Sequence, residues 1–401
     1  MTQDTAAPPT RPAPARGEAL LVCALIGTAQ MTWGVIVPVL PLLAEDLALP
    51  VVLLGPIIAA FAIGRVIANV PAGMLMRRAP VRPLMIGVLL ALCAVTAVTG
   101  WAPDATWLIA LRLVAGVLGG AAITLGFAVL LAGAPPERRG RVVSLATVVQ
   151  MGAAAVGAVL GGAVVTVAGV PAAFVAAAVP VVLAVTWDLA RPARGYWASV
   201  RVDAAAPGAA SAAAVPAQAP HGLLIALAAV SFALFFARFA GEQGLIPVLA
   251  YAQGELDPLT LGIAFALGTA ASAAVLPFVG RAVDRGSRAS VLIGSSGLAA
   301  IAMLLFAVLR NPWAFGAGIV AYAVATSVAN IVPSVAIAEA FPGRRSGTVV
   351  GVTRTAGDLG AATGPLIVFA LADTAGAPMA LLVLAVLPLV AATWLLFARR
   401  R

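Results

Sequence analysis

Long apolar runs, broken by short turns bearing arginine, proline or glycine, recur along the whole chain. A helix needs about twenty consecutive apolar residues to cross a bilayer. Runs of that size lie at 19–44, 51–74, 83–102, 105–132, 142–168, 171–190, 222–250, 259–281, 290–309, 312–340, 347–371 and 378–398. The pattern predicts an all-α membrane protein of twelve transmembrane helices, with halves at 19–190 and 222–398. Between them, 191–221 carries Pro192, Pro207, Pro216 and Pro220 among alanines and reads as a linker. Residues 1–18 are polar and rich in Pro and Ala, which predicts a disordered tail, and 399–401 form a basic C-terminal tail.

The two halves echo each other. Pro135, Arg138, Gly140 and Gly157 recur as Pro342, Arg345, Gly347 and Gly364, and Gly55 and Gly73 recur as Gly262 and Gly280, all at one offset of 207 residues. One gap-free shift that matches six such positions points to an internal repeat, the unit being a membrane-embedded half. Within each copy a basic loop precedes glycines at four-residue spacing: Gly157, Gly161 and Gly162 in the first, Gly360, Gly364 and Pro365 in the second. Small residues at that spacing let helix backbones approach closely in lipid, so helix packing is the plainest role for them.

Charge then sets orientation. All 24 basic residues are arginine, the net charge is +9, and only 10% of residues are charged against 62% hydrophobic. The arginines fall in short clusters between apolar runs, as orientation signals do, and not in a stripe suited to nucleic acid. Arg11, Arg16, Arg77, Arg78, Arg82, Arg138, Arg139, Arg141, Arg191, Arg194, Arg201, Arg281, Arg285, Arg288, Arg344, Arg345 and the terminal Arg399–Arg401 all count to one side. Glu45, Asp46, Asp104, Glu255, Asp257 and Asp373 count to the other, with Arg310 as its arginine. The bias predicts that both termini and the linker are cytoplasmic. The Ala-, Val-, Gly- and Arg-rich composition suggests a GC-rich bacterial source, hence a bacterial inner membrane. Cys23 and Cys93 are isolated in apolar runs and His221 stands alone, so no metal site, disulfide framework or cofactor is expected. A phosphate-binding Gly-x-x-x-x-Gly-Lys-Ser/Thr loop is missing from the sequence, which argues against ATP as the energy source, and no nucleophile constellation suggests an enzyme.

These features resemble the major facilitator superfamily over about 19–398. Three motifs carry the likeness. The loop Gly280-Arg-Ala-Val-Asp284-Arg285-Gly-Ser-Arg288 fits the family's inter-helix motif, while its first-half copy, Gly73 with Arg77, Arg78 and Arg82, has Arg77 in the acid's place. Arg112 with Gly116 resembles the buried Arg-x-x-x-Gly of the fourth helix. Gly157-Ala158-Val-Leu-Gly161-Gly162 is similar to the fifth-helix motif of the twelve-helix drug:proton antiporters, with Ala158 for the usual proline. The resemblance implies alternating access about a central cavity lined by helices one, four, seven and ten, and gating by the loop motifs. The Arg77 replacement puts the first-half latch in question.

Ionisable groups inside spans are usually functional or paired. Arg65, Arg112, Arg238, Arg354, Glu242 and Asp358 fall within spans. Arg238 and Glu242 are four apart, as are Arg354 and Asp358, so each pair shares a helix face; structural neutralisation is as plausible as a functional role. With the cavity as the resemblance places it, Glu242 is expected beside Arg112 and Arg238 as the proton-coupling acid, with Gln30, Trp33, Gln150 and Asn330 as further lining. Asp358, Arg354 and Arg65 are expected as a charge lock between halves. The function expected is proton-coupled export of a small organic compound, drug or natural product, with two rivals: import or uniport of a small solute on the same fold, and a non-transporting sensor or scaffold. Four arginines against two acids favour an anionic or zwitterionic substrate. The partners expected are that substrate, protons and lipid, with no nucleic acid, for a protein acting as a monomer.

Overall fold

The computed structural model describes residues 16–135, 138–203, 221–340 and 344–400. The tail before Arg16, the loop residues Pro136, Glu137, Phe341, Pro342 and Gly343, most of the linker (204–220) and Arg401 lie outside them, as do, among others, the side chains of Arg16, Asn69, Arg139, Arg201, Arg344, Arg345, Arg399 and Arg400. The chain is all α-helical among these residues. The N-terminal half comprises α1 (Arg16–Asp46), α2 (Leu54–Leu75), α3 (Val81–Thr99), α4 (Ala105–Gly133) and α5 (Arg139–Ala190). A short helix, α6 (Arg194–Asp203), follows. The C-terminal half comprises α7 (His221–Ala237), a π-helical turn (Arg238–Leu245), α8 (Ile246–Ala252), α9 (Pro258–Asp284), α10 (Arg288–Leu305), α11 (Pro312–Ala329), α12 (Ile331–Ala340), α13 (Arg344–Ala375) and α14 (Ala377–Arg400). Among the described residues, eleven helical segments are long and apolar enough to span a bilayer.

Several boundaries differ from the sequence reading, each for a local reason. The two expected spans 142–168 and 171–190 are both present, as two helical arms of α5 that run on with no intervening loop. The chain reverses between them at one residue, Gly169, whose φ of 80° and ψ of 176° a side chain would disfavour. The expected span 222–250 is one continuous helix only in outline, because the π turn widens it between α7 and α8. The span 312–340 breaks at Asn330, which caps α11. The linker is not wholly irregular: α6 is ordered, burying Tyr196, Trp197 and Val200. On the acidic side, helices begin with side-chain caps. Asp104 accepts from Trp107 N–H (3.0 Å), Asp257 from Thr260 N–H (3.0 Å) and Asn311 from Trp313 N–H (2.9 Å). These caps give that side's acids a structural use, since a carboxylate at a helix N-terminus satisfies free N–H groups and favours the dipole.

The halves meet along two seams, α2 against α13 and α5 against α9. Glycine permits each contact. A Cβ on Gly55 would lie 2.8 Å from the Pro365 carbonyl oxygen, and one on Gly262 would collide with the Ala158 carbonyl. The 207-residue offset that carries Gly55 to Gly262 also carries Ala158 to Pro365, so the repeat maps one seam onto the other. Further inter-half contacts cluster with these: Gly162 against Pro258, Gly244 against Ile58, and Tyr251 Oη donating to the Pro38 carbonyl (2.5 Å). All belong to the helix ends remote from the arginine clusters. At the arginine-bearing end Met74, Leu75 and Phe278 are exposed, and a Cβ on Gly73, Gly152, Gly280 or Gly351 would meet nothing. Arg238 and Arg354, though within spans and near Arg65 of the other half, are exposed, so the halves part toward the arginine-bearing face and leave a cleft between them.

Candidate functional site

Where the seams end and the cleft begins, charges from both halves converge. Arg65 of α2 is half-buried and lies within electrostatic reach of Asp358, Arg354 and Arg238. Asp358 is buried on α13, while Arg354, one turn away, and Arg238 are exposed. The π turn places Glu242, half-buried, within reach of Arg238, and the buried Tyr322 of α11 faces both. A π turn is an unusual backbone that recurs at functional sites because it re-aims side chains at a small local expense. Here it carries Arg238, Glu242 and Gln243. The structure thus joins two groups that the sequence reading kept apart: Arg238 belongs both to the Glu242 pair and to the Arg65–Arg354–Asp358 set. Their sum is three guanidiniums and two carboxylates, so the cluster is net positive when all are ionised.

Glu242 has Arg238 as its charged neighbour; Arg112, expected beside that acid, is 1% exposed in the N-terminal half. Its guanidinium stands 4.7 Å from the Trp33 ring centroid and 4.6 Å from that of Phe61, the two rings themselves being stacked at 4.1 Å. Cation–π attraction takes the place of a carboxylate there. Its Nε and Nη2 have no hydrogen-bond partner. The aromatic set continues across the half boundary, Trp33 to Phe239 at 5.5 Å and Phe239 to Phe235 at 6.5 Å, with Arg65 above Phe239 at 5.9 Å. Trp33 therefore touches the charge cluster through Phe239. Gln30 and Gln150 are half-buried in the N-terminal half, and Asn330 is exposed, its amide donating to the Thr326 carbonyl at 2.9 Å.

Two groups were missed by the sequence reading. Gln243, nine-tenths buried in the π turn, has an Oε1 without a partner. Asp188 is a third buried acid, wholly inaccessible near the end of α5. Arg82 Nε pairs with Asp188 Oδ2 at 2.8 Å, its Nη2 donates to the Asp188 carbonyl at 2.9 Å, and Trp197 Nε1 donates to Oδ1 at 2.9 Å. The position of Asp188 inside an apolar run was the available signal. Glu18 adds a further tie, accepting from Gly195 N–H at 3.0 Å, so α6 is fastened to α1 and α5. Of the loop residues, Arg82 is thus held within its own half, while Arg77, Arg78, Asp284 and Arg285 are exposed. Arg288 is half-buried at the start of α10. The packing glycines all sit at close helix approaches, Gly157 and Gly161 against α1 and Gly360 and Gly364 against α7.

Comparison with known proteins completes the site's context. The sequence model of the Major Facilitator Superfamily matches residues 22–237 and 227–401. No curated protein matches the chain. Among solved structures, the crystal structure of the human organic anion transporter MFSD10 (TETRAN) is similar: the TM-score is 0.65 at 20% identity, over 95% of this chain and 99% of that one. At that identity the likeness concerns fold. The family match, spanning both halves, identifies this multi-pass membrane protein as a member of the Major Facilitator Superfamily, a secondary transporter of small organic molecules and not an enzyme.

Proposed function

We propose that the chain carries a small organic anion across the membrane by alternating access, binding it at the apex of the cleft between Arg65, Arg238 and Arg354. The observation that carries this reading is the charge balance there: three arginines from both halves around two acids, with Arg238 and Arg354 exposed. A monoanion would neutralise the cluster, and neutralisation lowers the expense of closing the cleft around buried charge. The similar MFSD10 structure is that of an organic anion transporter, which is congruent with that choice. In this reading the protein has twelve spans, α5 contributing two about Gly169, in two pseudo-symmetric six-helix halves. Its arginine-bearing face and both termini are cytoplasmic, in a bacterial inner membrane. A single alternating site follows the summed gradients, so it serves uptake or uniport of a solute without further machinery.

The test is flux into proteoliposomes with a panel of organic anions, cations and neutral solutes. Saturable flux of anions, much reduced in Arg238→Gln and Arg354→Gln, is expected; preference for cations or neutral solutes would sink the reading. A second reading, export in exchange for protons, draws on Glu242, half-buried between Arg238 and Tyr322. Under it, Glu242→Gln keeps downhill exchange and loses uphill export under a pH gradient; a variant that still concentrates substrate excludes Glu242 as the coupling acid.

A further inference from the structure

The two inter-helix loops related by the repeat differ by a charge reversal. At the offset of 207, Arg77 and Arg78 correspond to Asp284 and Arg285. The second loop therefore carries an internal counter-charge and the first does not. Among the described residues the acid paired with the first loop's helix is Asp188, and it is already saturated: its carboxylate takes Arg82 and Trp197, and its carbonyl takes Arg82 again. Arg77 and Arg78 are left exposed in the turn between α2 and α3, outside any ion pair among the described residues. The apolar surface beside them is also exposed: Met74 and Leu75 at the end of α2, and Trp187 and Leu189 on either side of Asp188. Because Arg82 pins the start of α3 to Asp188, the Trp187–Leu189 surface borders the same loop. Arg191 and Arg194 follow on the exposed side of the connection into α6.

Cationic side chains next to exposed Leu, Met and Trp, at the end of membrane-spanning helices, form a composite surface. The apolar residues suit acyl chains, Trp suits the headgroup boundary, and the arginines suit phosphate oxygens, which guanidinium groups bind bidentately. We infer that the Arg77–Arg78 loop is a binding site for the headgroup of an anionic phospholipid, with Met74, Leu75, Trp187 and Leu189 against its chains. The lipid supplies the negative charge that Asp284 supplies in the other half. A soluble phosphate would satisfy the arginines but leave the apolar border unexplained, so a lipid is the occupant of choice.

The experiment uses the full chain purified in a neutral detergent and titrated with phosphatidylglycerol, or with phosphatidylcholine of the same chains, lipid adducts being counted by native mass spectrometry. A parallel titration uses inorganic phosphate as competitor. Phosphatidylglycerol is expected to bind more tightly than phosphatidylcholine. Each of Arg77→Gln and Arg78→Gln should weaken it about fivefold, the factor that corresponds to ~1 kcal/mol per basic residue at a membrane surface. Arg77→Lys, which keeps the charge but loses the bidentate fork, should weaken binding less than Arg77→Gln, and Arg285→Gln in the other loop should leave it unchanged. Equal affinity for the two lipids, an anionic preference that survives Arg77→Gln/Arg78→Gln, or displacement of the lipid by millimolar phosphate would each overturn the inference. The substituted residues are exposed, so loss of fold is not an expected source of a negative result, and a melting curve for each variant verifies it.

Discussion

Asp188 shows what a single residue decides here. A carboxylate with no solvent contact is tolerated because two donors reach it, Arg82 Nε and Trp197 Nε1, while Arg82 also holds the backbone carbonyl, and removing one leaves charge in an apolar surrounding. Arg82→Gln should therefore lower stability by roughly 3 kcal/mol, and Trp197→Phe, which removes a single hydrogen bond, by about 1–2 kcal/mol; thermal unfolding in detergent ranks them. At the seam, Asp358→Asn leaves Arg65 and its neighbours without their shared counter-charge, so stability should fall, and Arg65→Leu should restore part of the loss. Additive effects in that double-mutant cycle would mean that the two charges are not coupled. At the acidic face, the Thr260 hydroxyl and N–H bonds hold the Asp257 carboxyl below its ordinary pKa. A depressed carboxylate stabilises the fold above its unfolded pKa of about 3.9, and that contribution disappears as pH falls through the lower folded value. Asp257→Ala should accordingly cost about 1 kcal/mol near neutral pH, with the gap from wild type closing as pH falls through the lowered folded pKa. The six intramembrane charges were legible because any ionisable group in an apolar run stands out. Their partners were not: the aromatic box around Arg112 depends on rings from α1 and α2 that no spacing in the sequence brings together.

At the scale of elements, the apolar runs located the spans because length and hydropathy alone govern them. The departures came from single residues whose effect depends on context. Gly169 makes a full reversal within an apolar stretch, whereas most glycines in these helices do not bend them. The π turn has no sequence signature; within it Gly241 packs against Met303 and Leu384, and Gly244 against Phe369 and Ile58. The helix α6 was hidden in a linker by its arginines and neighbouring prolines. Its order comes from tertiary ties, among them the Tyr196 ring lying where a Gly133 side chain would project. Gly133→Val should displace Tyr196 and free α6. Hydrogen exchange would then rise across Arg194–Asp203 while α4 and α5 stay protected; unchanged exchange in α6 would show that the Trp197 and Glu18 ties suffice.

At the scale of the molecule, the 207-residue repeat foretold two related halves, and the mapping of the Gly55–Pro365 contact onto Gly262–Ala158 gives that repeat a physical expression. What the repeat could not convey is where the halves differ. Arg65 corresponds to Ser272, and Asp358 to Met151, so only the α2–α13 seam is charged. Ser272 instead donates to the Gly268 and Ala323 carbonyls within its own half. At the arginine-bearing end a side chain at Gly152 or Gly351 would meet nothing, so thiols introduced as Gly152→Cys and Gly351→Cys should react readily with a water-soluble maleimide in the resting protein. Saturating transported substrate should change their labelling rates together if the halves move as bodies; a change confined to one site would argue for local motion.

The seams themselves are backbone against backbone, with glycine on one side of each. In water such a surface would be held shut by the hydrophobic effect, but lipid tails are as apolar as the seam and give no comparable drive. What holds it is close packing, and lipid chains compete for the same space. The thickness and lateral packing of the surrounding bilayer therefore act on the same equilibrium as the substrate. Transport by this protein should be tunable by acyl-chain length at constant headgroup, with turnover passing through a maximum where neither face of the cleft is favoured.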